Sequence, residues 1–300
     1  MVSISIVIVN YNAVKYLKDS VKSIIDSDIL LSDIEIIVID NASSDSSVLQ
    51  LEKFIALDKS DVSIKIIKNE NNLGFSKSVN IGIKESNAKY VCILNPDTYI
   101  ESNCLGGLRD YMDNNLDVDA VTPKILNSDG SLQKSCKRAA PGILNSMYKI
   151  IGLDRIFPNN KYFGNFHLLY LDEDEIEQIE VISGAFMFLR NSIIDKVGYF
   201  DERFYMYCED TDYCIRINNV GGKIIYYPLF KAIHYRGESA KSRPFEVINF
   251  FHLSMIKYYN KYQDNYRFWK ILKPIIVFSI IVKKYLSYLN LVIKKIIKRK

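Results

Sequence analysis

Short β-branched runs alternate with stretches of helical spacing through the first third of the chain. Ile4–Val9 (ISIVIV), Glu35–Asp40 (EIIVID), Ser63–Lys68 (SIKIIK) and Lys89–Leu94 (KYVCIL) read as strands. Between them, Ala13–Ile25, Val48–Leu57 and Ser76–Glu85 place apolar residues at helical spacing. Strands separated by helices of this length predict an α/β fold on a mostly parallel sheet with crossover connections. Ligands of such sheets sit beyond the carboxyl ends of the strands. The polar residues that follow the strands are therefore where chemistry is expected: Asn10-Tyr11-Asn12, Asp40-Asn41-Ala42-Ser43, Asn69 to Gly74, and Asn95-Pro96-Asp97.

The pattern weakens between Asp119 and Gln178. A turn at Ser128-Asp129-Gly130 is followed by a basic stretch, Lys134 to Arg138, that ends near Pro141. Residues 142–178 read as loop and short helix. Periodicity then returns as a strand over Val181–Leu189, a helix opening near Asp210, a strand over Lys223–Tyr227 and a further segment, Ala232–Ser239. No internal repeat or low-complexity linker interrupts the chain, so residues 1–256 read as one domain and 257–300 as a helical appendage.

Composition is ordinary for a globular protein, with 48% hydrophobic and 25% charged residues among 300. Charge changes the picture. From Lys257 onward there are 12 Lys/Arg against one acidic residue, Asp264; that stretch carries +11, which leaves −7 on the first 256 residues of a chain whose net charge is +4. An acidic body with a basic tail predicts a meeting with something anionic. At 100° per residue, Val282, Leu286, Leu289, Ile293 and Ile296 share one face of the tail, with Lys283, Lys294, Lys295 and Lys298 opposite. Tyr258, Tyr259, Tyr262, Tyr266 and Trp269 precede it. This pattern predicts an interfacial helix on an anionic membrane surface, against the simpler reading of a solvated packing helix. It does not suit nucleic acid, since the aromatics and aliphatics make one apolar face and no interleaved stacking surface. The longest strongly apolar run, Ile275–Val282, is shorter than the ~20 residues a bilayer requires. The N-terminus has neither a basic leader nor a small-residue cleavage site, so no signal peptide is expected. Five cysteines with no CxxC pairing predict reduced thiols.

Four motifs carry candidate chemistry, and each also has a plain structural explanation. In LNPDT, Asp97 sits at the carboxyl edge of a strand, where one carboxylate plus substrate phosphates suffices for Mg2+ or Mn2+; a Pro-Asp turn would leave the same trace. In FYMYCEDTDYCIRI, Glu209, Asp210 and Asp212 cluster at a helix start. Such acids complement the helix dipole, and Asp212 can pair with Arg216. The aromatic run before them would also desolvate a carboxylate enough to make it a general base. His234, in IHYRGES with Arg236, Gly237 and Ser239, is a metal or phosphate ligand or a structural imidazole; His167 and His252 lack comparable context. Gly74, before a helix start, allows backbone N–H groups to approach a phosphate or base, or simply makes a turn. Neither GxGxxG nor a P-loop is present.

In order along residues 3 to 256, NYN, VIDNASSD, NxGFSxxxN, LNPDT, SGAFMFLR, FYMYCEDTDYCIRI and IHYRGES resemble the motifs of family 2 glycosyltransferases, especially the rhamnosyltransferase-like branch. The resemblance implies a GT-A fold, in which a nucleotide-binding half merges with an acceptor half around one sheet. It implies a donor pocket from Asn10, Asn12, Asp40, Ser43, Asp45, Asn72, Gly74, Phe75, Asn80 and Asn95. Asp40 would contact the pyrimidine base. The family's Asp-x-Asp reads Asn95-Pro96-Asp97 here, so a divalent Mg2+ or Mn2+ ion would rest on Asp97 with His234. Asp210 would be the catalytic base, with Glu209 and Gly184 on the acceptor side. The implied activity is inverting transfer of a sugar from a nucleotide-sugar donor, dTDP-rhamnose by branch and a UDP-sugar by the same pocket logic. The acceptor would be a saccharide or lipid-linked saccharide of cell-surface polysaccharide synthesis, met at the cytoplasmic face of the membrane. Two other readings are a sugar nucleotidyltransferase, whose Gly-rich first loop NYNAVKYL lacks, and an inactive membrane-docked binding protein, against which Asp97, Asp210 and His234 argue.

Overall fold

A computed structural model describes residues 2–58, 60–235, 243–265 and 269–297. Its first four strands, β1 (Ile4–Asn10), β2 (Ile34–Asp40), β3 (Ser63–Lys68) and β4 (Tyr90–Leu94), are parallel neighbours in the order β3-β2-β1-β4. Helices α1 (Leu17–Ile25), α2 (Ser47–Leu57) and α3 (Phe75–Glu85) connect the first of these strands. β1 and β4 are buried along their whole length, which is why they read as unbroken apolar runs. α1 starts at Leu17 and not at the expected Ala13, because Asn12 adopts a left-handed φ of 53° and the backbone turns once (Tyr16 N–H to Ala13 O, 2.9 Å) before the helix begins.

The second half builds the sheet outward with β5 (Thr98–Ile100), α4 (Cys104–Asn114), β6 (Ala120–Leu126), β7 (Lys137–Arg138), α5 (Ile143–Ile151), α6 (Leu153–Ile156), β8 (Glu177–Gln178), β9 (Val181–Ile182), β10 (Phe186–Arg190), α7 (Asn191–Val197), α8 (Glu209–Asn219) and β11 (Ile224–His234). β10 lies antiparallel between β4 and β6; β11 runs parallel to β6 and antiparallel to β5. The order is β3-β2-β1-β4-β10-β6-β11-β5, with β8 on β11. The parallel arrangement thus holds across the first four strands, and the rest of the sheet is mixed.

Two expected elements differ. Val181–Leu189 is not one strand: β9 pairs with β7 in a separate two-stranded ribbon, β10 joins the main sheet, and Ser183-Gly184-Ala185 breaks the run between them. Lys223–Tyr227 and the segment from Ala232 are one strand, β11, whose register shifts between Tyr227 and Lys231 around Pro228, which has no N–H to donate. Arg236, Gly237, Ser239, Tyr266 and Lys298 lie outside the described residues.

A docking helix (Pro244–Lys261) and a terminal helix (Trp269–Ile297) follow. Ile276 and Ile280 of the terminal helix pack with Tyr258, Tyr259, Met255, Phe204 and Ile143. The opposite side of the helix is apolar and exposed: Val282, Leu286, Leu289, Ile293 and Ile296 all face outward, Leu286 at 59% exposure, whereas Lys283 is half-buried and Lys284 donates to Asn249 Oδ1 (3.3 Å). The stripe that shares one face in the sequence is therefore turned away from the protein. The expectation that the tail is too short to span a bilayer also needs correction. The helix runs 29 residues and is long and apolar enough, by length and composition, to cross a membrane. Counting the uninterrupted run alone stopped at the lysine pair, although apolar residues resume beyond it.

Close packing of α3 on β1 is set by Gly82, where an added Cβ would fall 2.3 Å from Val7 Cγ1. Gly82→Val should lower unfolding free energy by ~1–3 kcal/mol through overpacking. Urea denaturation checks this; a midpoint equal to that of the parent chain would show that the interface yields without cost.

Candidate active site

At the carboxyl ends of β1, β2 and β4 lies a cavity of about 630 Å3, within the range of small-molecule and cofactor sites. One end is made by the loops after β1, β2 and β3. Asn10 and Asp40 are register partners at the ends of β1 and β2, and the Asn10 amide donates to Asp40 Oδ1 (2.8 Å) and to the hydroxyls of Ser43 (3.0 Å) and Ser47 (2.9 Å). Asn12 Oδ1 accepts from the Ser44 N–H (2.8 Å), and Asp45 Oδ2 accepts from the Val14 N–H (2.9 Å). Together these bonds stitch the two loops into one rim. Asn41, which sequence reasoning left unassigned, joins that rim to the next loop: its amide donates to Asn72 Oδ1 (2.8 Å) and its Oδ1 accepts from the Leu73 N–H (2.8 Å).

Asn72, Gly74 and Phe75 line the cavity. Gly74 has φ +83°, and a Cβ there would meet Tyr205 O at 2.6 Å. Only glycine lets this turn pass under Tyr205, whose carbonyl accepts from the Phe75 N–H (2.7 Å). Asn80 is not in the lining. It is buried, and it bonds the Phe200 backbone in both directions (2.9 and 2.8 Å) and Glu202 (3.1 Å), holding the loop before α8. Asn10, Asn12, Asp40, Ser43 and Asp45 form the rim described above, just outside the lining, while Tyr11 and Asn41 beside them face the cavity.

At the sheet edge, β5 and β11 pair antiparallel with Thr98 opposite His234. That register brings Asp97 and His234 together: His234 Nε2 stands 3.1 Å from Asp97 Oδ1, with the Asn95 amide at 3.3 Å. Both side chains are largely buried. Gln133 Oε1 lies 3.0 Å from His234 Nδ1. A neutral ring that donates Nδ1–H to Gln133 turns its Nε2 lone pair toward the Asp97 carboxylate, and two lone pairs at that distance call for a proton or a cation between them. A carboxylate oxygen and an imidazole nitrogen at this spacing could both reach one divalent ion. No group of three or more His, Cys, Asp or Glu side chains suited to a metal occurs among the described residues.

The other end is organised by the break Ser183–Ala185 and the start of α8. Asp210 Oδ2 accepts from Arg138 (2.5 Å) and from the Gly184 N–H (3.1 Å), while its Oδ1 accepts from the Thr211 N–H (2.6 Å) and hydroxyl (3.1 Å). Arg138 also donates to Ile182 O (3.1 Å). It stands in the basic stretch noted in the sequence, but nothing in that stretch announced a partner 72 residues away. Glu209 is buried, and its Oε2 has no hydrogen-bond partner among the described residues. Burial first, and the neighbouring Asp210 charge second, push its carboxyl up to about 8. Asp212 is drawn away from the cavity: it pairs with Arg216 as expected (3.0 Å) and with Lys261 (2.5 Å), fastening the docking helix. The three acids therefore divide into an ion-paired carboxylate, a neutral carboxyl and a structural anchor.

Backbone strain collects here. Asn12, Ala42, Tyr207 and Cys208 all have left-handed φ without being glycine, and all four flank the cavity. Each such residue costs ~1–3 kcal/mol and persists only where its surroundings fix it. Tyr207 and Cys208 are fixed by Ser254, whose hydroxyl donates to Met206 O (2.8 Å), and by edge packing of Tyr207 on Phe251.

A carboxyl that is more basic folded than unfolded holds an extra proton in the native state between the two values, so its contribution to stability falls as pH rises through that window. The chain should accordingly lose stability relative to a Glu209→Gln variant as pH rises from about 4.5 to about 8. Thermal melts of both proteins across that range test this; parallel curves would mean that Glu209 ionises freely.

Residues 5–196, more than half of the chain, match the family model described as "Glycosyl transferase family 2". An N-acetylglucosaminyl-diphospho-decaprenol L-rhamnosyltransferase of Mycobacterium tuberculosis is 25% identical over 192 residues, covering 60% of this chain and 62% of its own. This chain thus spans less than two thirds of that relative's length. Among solved structures, S. aureus TarS 1-349 in complex with UDP-GlcNAc superposes with a TM-score of 0.57 at 19% identity, over 86% of this chain and 67% of that one. GalNAc-T7 with UDP, GalNAc and Mn2+ gives 0.57 at 18% identity, over 79% and 45%. The shared architecture is the α/β GT-A fold. The chain belongs to glycosyl transferase family 2.

Proposed function

We propose that the chain is an inverting glycosyltransferase that moves rhamnose from dTDP-rhamnose onto a saccharide borne by a membrane lipid, in cell-surface glycan synthesis. The observation that carries the reading is that one cavity is lined by Asp97, His234, Asp210 and Glu209 together. The choice of rhamnose, and of a lipid-linked acceptor, rests on the name of the mycobacterial relative. UDP-sugars are the alternative donors.

In this reading the base and sugar of the donor lie along Asn41, Asn72 and Gly74, beside the rim of Asn10, Asn12, Asp40, Ser43 and Asp45. Asp97 and His234, with Asn95, would hold Mg2+ or Mn2+, as the Mn2+ in the GalNAc-T7 structure suggests; the ion would offset the negative charge left on the diphosphate. The roles of the two carboxyls follow from their unlike environments. Asp210, ion-paired to Arg138, is the proton acceptor, and neutral Glu209 donates a hydrogen bond to the acceptor sugar. The acceptor oxygen attacks the anomeric carbon, the bond to the diphosphate breaks with its electron pair leaving on phosphate oxygen, and the hydroxyl proton passes to Asp210. The Thr211 hydroxyl releases its 3.1 Å bond to Asp210 Oδ1 so that this proton can be received. One displacement inverts the anomeric configuration. The terminal helix would hold the enzyme on the inner face of the cell membrane, its apolar stripe in lipid and its lysines near anionic headgroups.

Asp210→Asn should lower transfer by about 10²–10⁴-fold with donor affinity intact. Titration calorimetry with the nucleotide sugar checks the second half, and equal loss of binding would remove Asp210 from the role of base. Asp97→Ala should weaken donor binding only when Mg2+ or Mn2+ is present; an unchanged metal dependence would take Asp97 out of the site. Thermal shift against a panel of nucleotide sugars, with and without Mn2+, separates dTDP-rhamnose from UDP donors. Deleting residues 270–300 should abolish co-sedimentation with anionic vesicles, and persistence of binding would refute the membrane role.

A further inference from the structure

The lining of the cavity that holds Asp210 also includes Phe166, Tyr258 and Tyr259, Lys149 of α5 and Lys283 of the terminal helix. Neither lysine has a part in the chemistry above, and their position is unusual. Past Ile280 the terminal helix turns its apolar stripe outward, while Lys283 and Lys284 face the protein. Lys283 is thereby half-buried in the cavity wall beneath an apolar exterior. The charged groups that face it are Arg155, which repels its ammonium, and Asp154, which attracts it. Lys149 stands 3.6 Å over the Phe166 ring. Lys149 and Lys283 thus bring two cationic side chains into the lining.

The exterior beside it is apolar on both flanks. Leu144, Met147, Ile151 and Ile156 of α5 and α6 are exposed, Ile156 at 65%, and Ile143 joins α5 to the terminal helix through Ile276 and Ile280. A molecule that fits this mouth has a saccharide inside, a negative charge at the lysines and a hydrocarbon chain outside.

We propose that Lys149 and Lys283 form a subsite for the phosphate or diphosphate that joins the acceptor saccharide to its lipid. The inference rests on the transferase reading and deepens it by assigning the acceptor's linker to a place. Two charge-assisted contacts in a partly desolvated wall discriminate a phosphorylated amphiphile from a neutral one. They also draw the acceptor toward Asp210 in one direction, with the lipid left on the apolar side.

Undecyl diphosphate in micelles of an uncharged detergent, titrated calorimetrically into the full-length chain with nucleoside diphosphate and Mn2+ saturating, tests this directly. The double variant Lys149→Gln, Lys283→Gln should bind about tenfold or more weakly, as expected for the loss of charge-assisted contacts. Lys294→Gln with Lys295→Gln removes the same charge farther along the helix and should leave affinity within about twofold. Lys283→Arg should retain binding, which guards against a packing defect. Equal weakening by the two double variants would reduce the effect to diffuse surface charge and overturn the subsite, as would no weakening by the first. Donor hydrolysis by the parent chain is measured alongside. Its absence would sink the transferase reading, whereas hydrolysis with an indifferent lysine pair would sink the subsite alone.

Discussion

Three residues that leave the sheet, Ser183 to Ala185, connect the two ends of the cavity. Ala185 O accepts from the Asn95 N–H (3.0 Å), so the break is anchored to the loop that carries Asp97. One residue earlier, the Gly184 N–H donates to Asp210 (3.1 Å). The loop that carries Asp97 and the carboxylate of Asp210 are therefore tied to the same three-residue break. A Cβ on Gly184 would lie 3.5 Å from Asp210 Cβ, so α8 approaches the break to ordinary contact and no farther. Preorganisation of this kind lets fixed donors and charges act without rearranging during reaction.

Elements that cross the whole domain were legible, and those that bend it were not. β1, β2 and β4 are β-branched and buried on both faces, so composition alone marks them. β5 has three residues and follows Pro96-Asp97, too short for any periodicity to register. The break in Val181–Leu189 is flanked by apolar residues on both sides, and Gly184 is its single trace. Candidate chemistry followed the same division. Asp97, Asp210 and His234 each stood at the end of an element and could be picked out singly. Arg138 and Asn41 act through partners distant in the chain, which spacing does not encode. Asn80 misled because a buried polar residue on a helix near a pocket looks the same in sequence whether it holds a ligand or, as here, the backbone of Phe200.

The docking helix explains how a strained segment is kept. Phe204 to Cys208 is pressed between the Gly74 turn on one side and Ser254 and Phe251 on the other, and Asp212 with Lys261 closes the far end. The segment Phe204 to Cys208 thus both borders the cavity and takes part in the cluster against which the terminal helix rests. A helix turned apolar side outward gains most of its burial from whatever covers it, at ~25 cal/mol per Å2 of apolar area removed from water. Membrane contact and acceptor binding would accordingly act on one structural unit.

The central claim is that Asp97 and His234, joined by the β5–β11 register, would act on the donor diphosphate through one divalent ion, while Asp210 would take the proton of the acceptor hydroxyl. Pulsed electron paramagnetic resonance of Mn2+ bound with the nucleoside diphosphate reads this most directly. The account predicts a histidine nitrogen coupling in the parent chain that disappears in His234→Gln and persists in Asp210→Asn. A parent chain without that coupling, or a His234→Gln variant that keeps it, would contradict it.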